Sequence, residues 1–446
     1  MGTRARLRVG VIVGLLASAC SSRGSADVAV VVERSQPPPA DVRSDADDRP
    51  TPRVAATSSI HGALRTIDGQ RVLHVWGTPR EMGRAHGALL RDPILAVIDG
   101  YVLAAIPPAT FTAAGPLYAT QADIAAALRE EAEGVIEGMR EAGGALVPGL
   151  GRELTVADLL LMNAITDLVA VGCSSVSAWG EATAADEALG GELAIVRNLD
   201  WSDSAPLLGA QVIIAYEPSD PGSQRLVSVA FAGYLGCLSC VNEAGVAAFF
   251  NMGHGEGAAS RAEAARGFAP ANLLLRTALS ARDLDGDGES TGDDVARALA
   301  ERRHAGSYIV HVVEPRARAS AAGRAPARIL EVEASGVGER RASAELRLGE
   351  SVLAATNHLR ELAPPRLCSR YRRIERAIDE ADHAVTSASL WSLGESVRLE
   401  DEVVHTLLVV PSARRIGVRM RAVGQTMDRS PPRVDHEWST LFAGRG

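Results

Sequence analysis

The sequence predicts an α+β protein, with strands and helices compatible with two packed sheets covered by helices. Three observations carry this. Residues Gly172 to Ala178 and Glu192 to Trp201 alternate apolar with small or polar side chains, a strand pattern, on either side of the Ala/Glu/Gly-rich loop Gly180 to Gly191. Residues Gln121 to Ala142 place Ile124, Ala127, Leu128, Val135 and Met139 at helical spacing. Strand-like runs then recur to the end of the chain, at Val212 to Tyr216, Leu226 to Ala232, Ser307 to Val313, Arg328 to Glu333, Val403 to Val410 and Arg415 to Val423.

The chain has 446 residues, 46% hydrophobic and 23% charged, enough for one large domain or two medium ones with ample core. The net charge is −9 with no basic run beyond the N-terminus, which argues against nucleic acid as a partner. Residues 1–20 read as a targeting segment. Arg4, Arg6 and Arg8 precede the apolar run Val9 to Ala17, which is too short to span a bilayer. The run ends Leu16-Ala17-Ser18-Ala19-Cys20, similar to a bacterial lipobox. This implies cleavage before Cys20, lipid attachment to it, and a lipid-anchored place in the bacterial cell envelope. Ordinary secretion after Ala19 is the competing reading. Residues 21–57, rich in Ser, Pro, Asp and Arg, cannot bury enough surface to order themselves and read as a tether.

From Ile60 the chain becomes periodic. Gln70 to Trp76 is a strand, and Arg80 to Gly87 opens a long helix whose glycines allow close packing, with His86 read as a packing or capping residue. Thr155-Val156-Ala157-Asp158 has the form of a capping box and starts the apolar helix Leu159 to Val169. That helix delivers the chain to Gly172-Cys173. A hairpin folded about Gly180 to Gly191 brings the Cys173 thiol close to Arg197 and Asp200. A guanidinium and a carboxylate are the company a nucleophilic thiol needs. A buried free cysteine on a core strand is the competing reading of Cys173 taken alone.

Further along, Asn242-Glu243-Ala244-Gly245 is a hairpin turn whose second strand ends in Asn251. Ser351 to Ala355 is an apolar strand leading into Thr356-Asn357-His358, and Cys368-Ser369-Arg370-Tyr371 opens a helix through Ile378. Cys237-Leu238-Ser239-Cys240 lacks both a following helix start and a second cysteine pair, so both cysteines read as structural. Asp283-Leu284-Asp285-Gly286-Asp287-Gly288 resembles the opening of an EF-hand loop, with Asp294 at its twelfth position and helices expected at Ala271 to Ala281 and Val295 to Arg303. Ser290 and Asp294 depart from that pattern, and a solvated acidic loop is the competing reading. Structural calcium is the one cofactor expectation; none is required for the chemistry.

Taken in order, four of these motifs resemble the cysteine-type N-terminal nucleophile hydrolases, the superfamily of choloylglycine hydrolases, penicillin V acylases and acid ceramidase. They are Gly172-Cys173-Ser174-Ser175 with Arg197-Asn198-Leu199-Asp200-Trp201, the strand ending in Asn251, Thr356-Asn357-His358, and Ser369-Arg370. The resemblance covers about Ile60 to Val423. It is nearest to the isopenicillin-N acyltransferase-like group, through the long N-terminal helical segment and the Thr-Asn-His run.

The resemblance implies a four-layered αββα sandwich of two antiparallel sheets. It implies a proenzyme that cuts itself between Gly172 and Cys173, leaving residues 58–172 as a mostly helical α chain and 173–426 as a β chain, with 427–446 a tail without a motif. It implies Cys173 as nucleophile, Arg197 and Asp200 beside it, Asn251 as oxyanion donor, and Asn357 with an arginine completing the network. Ser-Arg-Phe in the family points to Arg370, while Ser-x-x-Arg leaves Arg372 or Arg373 open. The implied reaction is hydrolysis or acyl transfer on a small N-acyl amide. Two other classes compete: an inactive, ligand- or peptide-binding surface lipoprotein on the same fold, and a papain-like thiol protease. The last needs a histidine partner, and neither His254 nor His358 lies in such a setting.

Overall fold

The computed structural model describes residues 60–167, 172–254 and 267–444. The expected signal segment, Cys20 and the tether lie outside these residues, as does the end of the apolar helix before Gly172.

Among the described residues seventeen strands form. In chain order they are β1 (Gly62–Ile67), β2 (Gln70–Gly77), β3 (Leu146–Val147), β4 (Arg152–Glu153), β5 (Gly172–Ala178), β6 (Ala194–Asp200), β7 (Gln211–Pro218), β8 (Leu226–Phe231), β9 (Ser239–Asn242), β10 (Ala247–Met252), β11 (Tyr308–Val313), β12 (Ala327–Glu333), β13 (Gly336–Arg340), β14 (Val352–Ala355), β15 (Val403–Val410), β16 (Arg415–Met420) and β17 (Val434–His436). One large sheet runs β1-β2-β7-β8-β9-β10-β11-β12-β13 and a smaller one β14-β5-β6-β15-β16-β17, while β3 and β4 pair with each other apart from both. The smaller sheet is antiparallel throughout. The larger departs from the expectation at one place: β2 and β7 pair in parallel. Parallel neighbours need a long crossover. Here the whole helical segment and the β5–β6 hairpin lie between them.

Alternation along the strands sorts side chains into three cores. Leu73, Ile214, Ala230, Phe250 and Val310 pack the outer face of the large sheet against the N-terminal helices and Ala271–Ser280. Ile213, Val229, Phe249, Ile309 and Ile329 meet Ile195, Leu407 and Val409 between the sheets. Val176, Val196 and Leu408 pack the far face of the small sheet against Tyr371 and Ile374 of helix Ser369–Glu380 and Leu390 of helix Ser387–Val397. The result is the four-layered αββα sandwich.

The helices depart from the sequence reading at their ends. The helix opening at Pro79 stops at Leu89, because Pro93 in the next segment lacks an N–H and its ring excludes the carbonyl four residues earlier. Gln121 closes helix Pro108–Gln121 rather than opening the next, which runs Ala126–Glu141. The glycines do bring helices together: a Cβ on Gly83 would lie 2.0 Å from the Glu131 carbonyl oxygen, and one on Gly138 would lie 1.9 Å from that of Arg84. Thr155 and Asp158 form the expected capping box on helix Val156–Asn163. Among the described residues no single helix is long and apolar enough to cross a membrane.

Candidate active site

The β5–β6 hairpin sets the site. Its register pairs Gly172 with Asp200, Cys173 with Leu199 and Ser175 with Arg197. Alternation puts Arg197 on the same face as Cys173, one diagonal step away, and the Arg197 Nη2 donates to the Cys173 Sγ at 3.5 Å. The same nitrogen donates to the Phe250 carbonyl at 2.8 Å, which ties the guanidinium to the facing sheet. Asp200 and Asn198 turn to the other face. Asn198 is a structural pin there: it donates to Ser174 Oγ at 3.0 Å and the Gly394 carbonyl at 2.8 Å, and accepts from Thr406 Oγ1 at 2.7 Å.

Asp200 reaches the thiol's neighbourhood through other residues. Its Oδ2 accepts from Arg370 Nη1 at 2.9 Å. Arg370 also donates to the Asn357 side-chain oxygen. That oxygen in turn accepts the backbone N–H of Cys173 at 3.0 Å, while Asn357 Nδ2 donates to the Met252 carbonyl at 2.8 Å. Backbone pairing of β14 with β5 ends at Ala355–Ser175. Beyond that point Asn357 supplies by side chain the acceptor that a continuing strand would have supplied by carbonyl. Asn251, at the end of β10 and fully buried, donates from Nδ2 to Ser175 Oγ at 3.5 Å.

Burial dominates the electrostatics. It pushes the Cys173 thiol above its ordinary range, opposed by the Arg197 guanidinium. It lifts the Asp200 carboxyl to about 6 against the pull of Arg370. It also lowers the Arg197 pKa, with Cys173 and Asp200 acting the other way. Two guanidinium groups thus face one carboxylate. The positive charge of Arg197 and Arg370 opposes the burial penalty on an anion there without overcoming it at the resting thiol. The resting thiol needs a base to ionise.

The remaining predicted residues separate clearly. Gly172 is packed so closely that a Cβ there would lie 2.7 Å from Leu399 Cδ1 and 3.1 Å from Asp200 Cβ. Of the three arginines, Arg370 joins Asp200 and Asn357, whereas Arg373 bonds the Ser396 carbonyl and Arg372 is exposed. His86 is buried and accepts the Gly233 N–H at 2.9 Å, a packing role. Cys237 and Cys240 are joined as a disulfide. Asp283, Asp285 and Asp287 bring carboxylate oxygens within 4.8 Å of one another. Asp294 does not join them: its oxygens accept the backbone N–H groups of Leu284, Asp285 and Thr291.

Two features escaped sequence reading. A small apolar pocket, open on one side, is lined by Tyr101, Met162, Trp201, Leu207, Phe231 and Tyr234. Trp201 follows Asp200 directly, so the pocket begins one residue from the polar network. The second is Cys368, whose thiol sits at the start of helix Ser369–Glu380 and donates to Thr356 Oγ1 at 3.6 Å. Burial raises its pKa, but bonds with His358, the Tyr371 N–H and Thr356 outweigh that and bring it to about 6. Alternating periodicity carries no trace of either, since both are assembled from separate segments.

No family model matches the chain. Over 181 residues it is 27% identical to Protein dcd1B of Dictyostelium discoideum, an alignment that covers 38% of this chain and 35% of the relative. The chain therefore spans about a third of the length of that curated relative. Among solved structures it is similar to the Caenorhabditis elegans N-acylethanolamine-hydrolyzing acid amidase ortholog, at 13% identity and a TM-score of 0.41 over 58% of this chain and 98% of that one. It is similar to penicillin V acylase from Agrobacterium tumefaciens, at 12% and 0.34 over 61% and 88%. A variant of conjugated bile acid hydrolase from Clostridium perfringens aligns at 9% and 0.32 over 60% and 95%.

Proposed function

We propose that this chain is a self-processing cysteine N-terminal nucleophile hydrolase acting on small N-acyl amides, with the isopenicillin-N acyltransferase-like group as its nearest kin. One observation carries the reading: protein groups converge on both reactive atoms of one residue. Arg197 addresses the Cys173 sulfur, and Asn357, held by Arg370 and through it by Asp200, addresses the Cys173 nitrogen. A cysteine buried only for packing needs neither.

In the precursor the Cys173 sulfur attacks the Gly172 carbonyl carbon. The C–S bond forms, the C–N bond breaks, and the freed nitrogen takes the thiol proton. Water then hydrolyses the thioester. The new α-amine, with an ordinary pKa of about 8, takes the proton of the raised thiol and so supplies the missing base. The thiolate attacks the substrate carbonyl, and Asn251 Nδ2 with Arg197 steadies the oxygen as it becomes negative. The ammonium returns its proton to the leaving amine. Water releases the acyl group to complete hydrolysis; an amine acceptor in its place gives acyl transfer. The apolar pocket beside Trp201 suits the acyl part of the substrate. The same reading carries Cys20 as a lipid-anchored N-terminus in the bacterial cell envelope.

The test is turnover of a chromogenic N-acyl anilide series by the purified full chain and by Cys173→Ala. Cys173-dependent release of the aniline supports the reading. Equal, background-level release from both proteins across the series overturns it.

A further inference from the structure

The space between the two sheets is filled by aliphatic and aromatic side chains, yet a file of polar groups crosses it. Asn251 donates from Nδ2 to Ser175 Oγ at 3.5 Å. Ser175 Oγ lies 2.9 Å from His311 Nδ1, and Ser177 Oγ lies 2.9 Å from His311 Nε2. All four side chains are buried. Ser175 and Ser177 share the inward face of β5 with Cys173, while Asn251 and His311 project from the adjacent strands β10 and β11 of the facing sheet. A buried polar group without partners is costly, so such a file persists in an apolar layer only when its members satisfy one another.

Counting protons leaves two directions for this file. His311 is neutral, since burial and Arg340 hold it near 3. A neutral imidazole has one donor and one acceptor nitrogen, and each hydroxyl has one proton. In one direction Ser175 Oγ receives the Asn251 N–H, its own proton goes to His311 Nδ1, and the ring proton on Nε2 goes to Ser177 Oγ, whose own proton leaves the file. In the other, Ser177 donates to Nε2 and the Nδ1–H goes to Ser175 Oγ, whose proton then needs the Asn251 amide to turn its oxygen toward it. Asn251 Nδ2, facing Ser175 Oγ at 3.5 Å, selects the first direction.

We infer that Ser175, His311 and Ser177 are positioning residues that hold the Asn251 amide with its nitrogen, not its oxygen, toward the nucleophile strand. The inference rests on the reading of Cys173 as a nucleophile. One Nδ2 hydrogen is engaged by Ser175, and the second remains for the substrate oxyanion. Without Ser175 the amide can turn its oxygen to the same place, where it would repel the developing negative charge.

The test uses the full chain, processed as it is isolated. Ser175→Ala should lower kcat about tenfold or more while KM stays within about twofold, because the loss falls on the transition state. Ser175→Thr, which keeps the hydroxyl, should recover most of kcat. Adding Ser175→Ala to Asn251→Ala should cost nothing further, since Ser175 acts through Asn251. Nitrogen-15 NMR of His311 should show the neutral tautomer protonated on Nε2. Additive effects of the two substitutions, an unchanged kcat in Ser175→Ala, or a proton on Nδ1 would each overturn the inference. Absence of Cys173-dependent turnover in the unsubstituted protein would instead overturn the parent reading, and the His311 spectrum would still decide the direction of the file.

Discussion

The side-chain oxygen of Asn357 accepts the backbone N–H of Cys173 at 3.0 Å, across 184 positions of sequence. The same oxygen receives Arg370. It therefore meets two donors, one of which becomes an amine if the bond from Gly172 is cut. An acceptor already in place would hold that amine over its own thiol without any rearrangement.

The proposed self-cleavage has a direct readout. Intact mass of purified protein should show two chains, the second beginning at Cys173, and Cys173→Ala should remain a single chain. Asn357→Leu should process slowly and lose most turnover, because it removes the acceptor and leaves Arg370 partly unpaired in a buried place. A wild-type protein that stays in one piece yet hydrolyses acyl amides would contradict the amine's role as base.

Gly172→Ala should slow processing and lower stability. The added methyl meets Leu399 Cδ1 at 2.7 Å and Asp200 Cβ at 3.1 Å, and relieving such crowding costs about 1–3 kcal/mol. Thermal unfolding in the unprocessed Cys173→Ala background, with and without Gly172→Ala, isolates the packing effect from the chemistry.

Asp200 sets a pH dependence. Its carboxyl, raised from 3.8 to about 6, must be ionised to pair with Arg370. Turnover should therefore fall as pH drops below about 6. Stability moves the other way. The folded chain binds this proton more tightly than the unfolded chain, so the contribution is complete below about 4 and is lost as pH rises through about 6. A kcat/KM profile flat down to pH 4 would remove Asp200 from the catalytic network.

The thiols should separate by alkylation. In Cys173→Ala at pH 7, iodoacetamide should modify Cys368, whose thiol lies at about 6, and His358→Ala should slow that labelling. Peptide mapping reads the result directly. Labelling that His358→Ala leaves unchanged would show that the bond between Cys368 and His358 does not govern its reactivity.

If the apolar pocket takes the acyl group as proposed, it sets chain-length selectivity. Trp201→Ala would enlarge that pocket beside the network and should shift preference toward longer or bulkier acyl groups in kcat/KM. An unaltered ranking over an acyl series would place the acyl group elsewhere.

Sequence reading reached the β5–β6 hairpin because strict alternation on both sides of one loop defines both strands and register. It placed Arg197 beside Cys173 for that reason. It placed Asp200 beside Cys173 by the same argument, but alternation turns the Asp200 side chain to the opposite face, and its link to the nucleophile runs through Arg370 and Asn357, which come from elsewhere in the chain. The choice among Arg370, Arg372 and Arg373 depends on which side of one helical turn faces Asp200, and three adjacent arginines carry no such mark. Ser175 and His311 are 136 positions apart and meet across two sheets, so neither periodicity nor spacing ties them. The short strand β17 and helix Trp438–Leu441 lie in a tail without a motif and form through contacts with the rest of the fold.

The parallel pairing of β2 with β7 bears on how this protein would age if it is cut at Gly172 as proposed. The cut would fall between two segments that share one nine-stranded sheet, so the pieces would stay joined by a ladder of backbone hydrogen bonds and a common core. Before the cut, refolding is a one-chain event. Afterwards two chains must find each other, and recovery from full unfolding becomes dependent on concentration. The processed form would then persist by a slow unfolding rate rather than by a reversible equilibrium, and its measured melting temperature would move with heating rate.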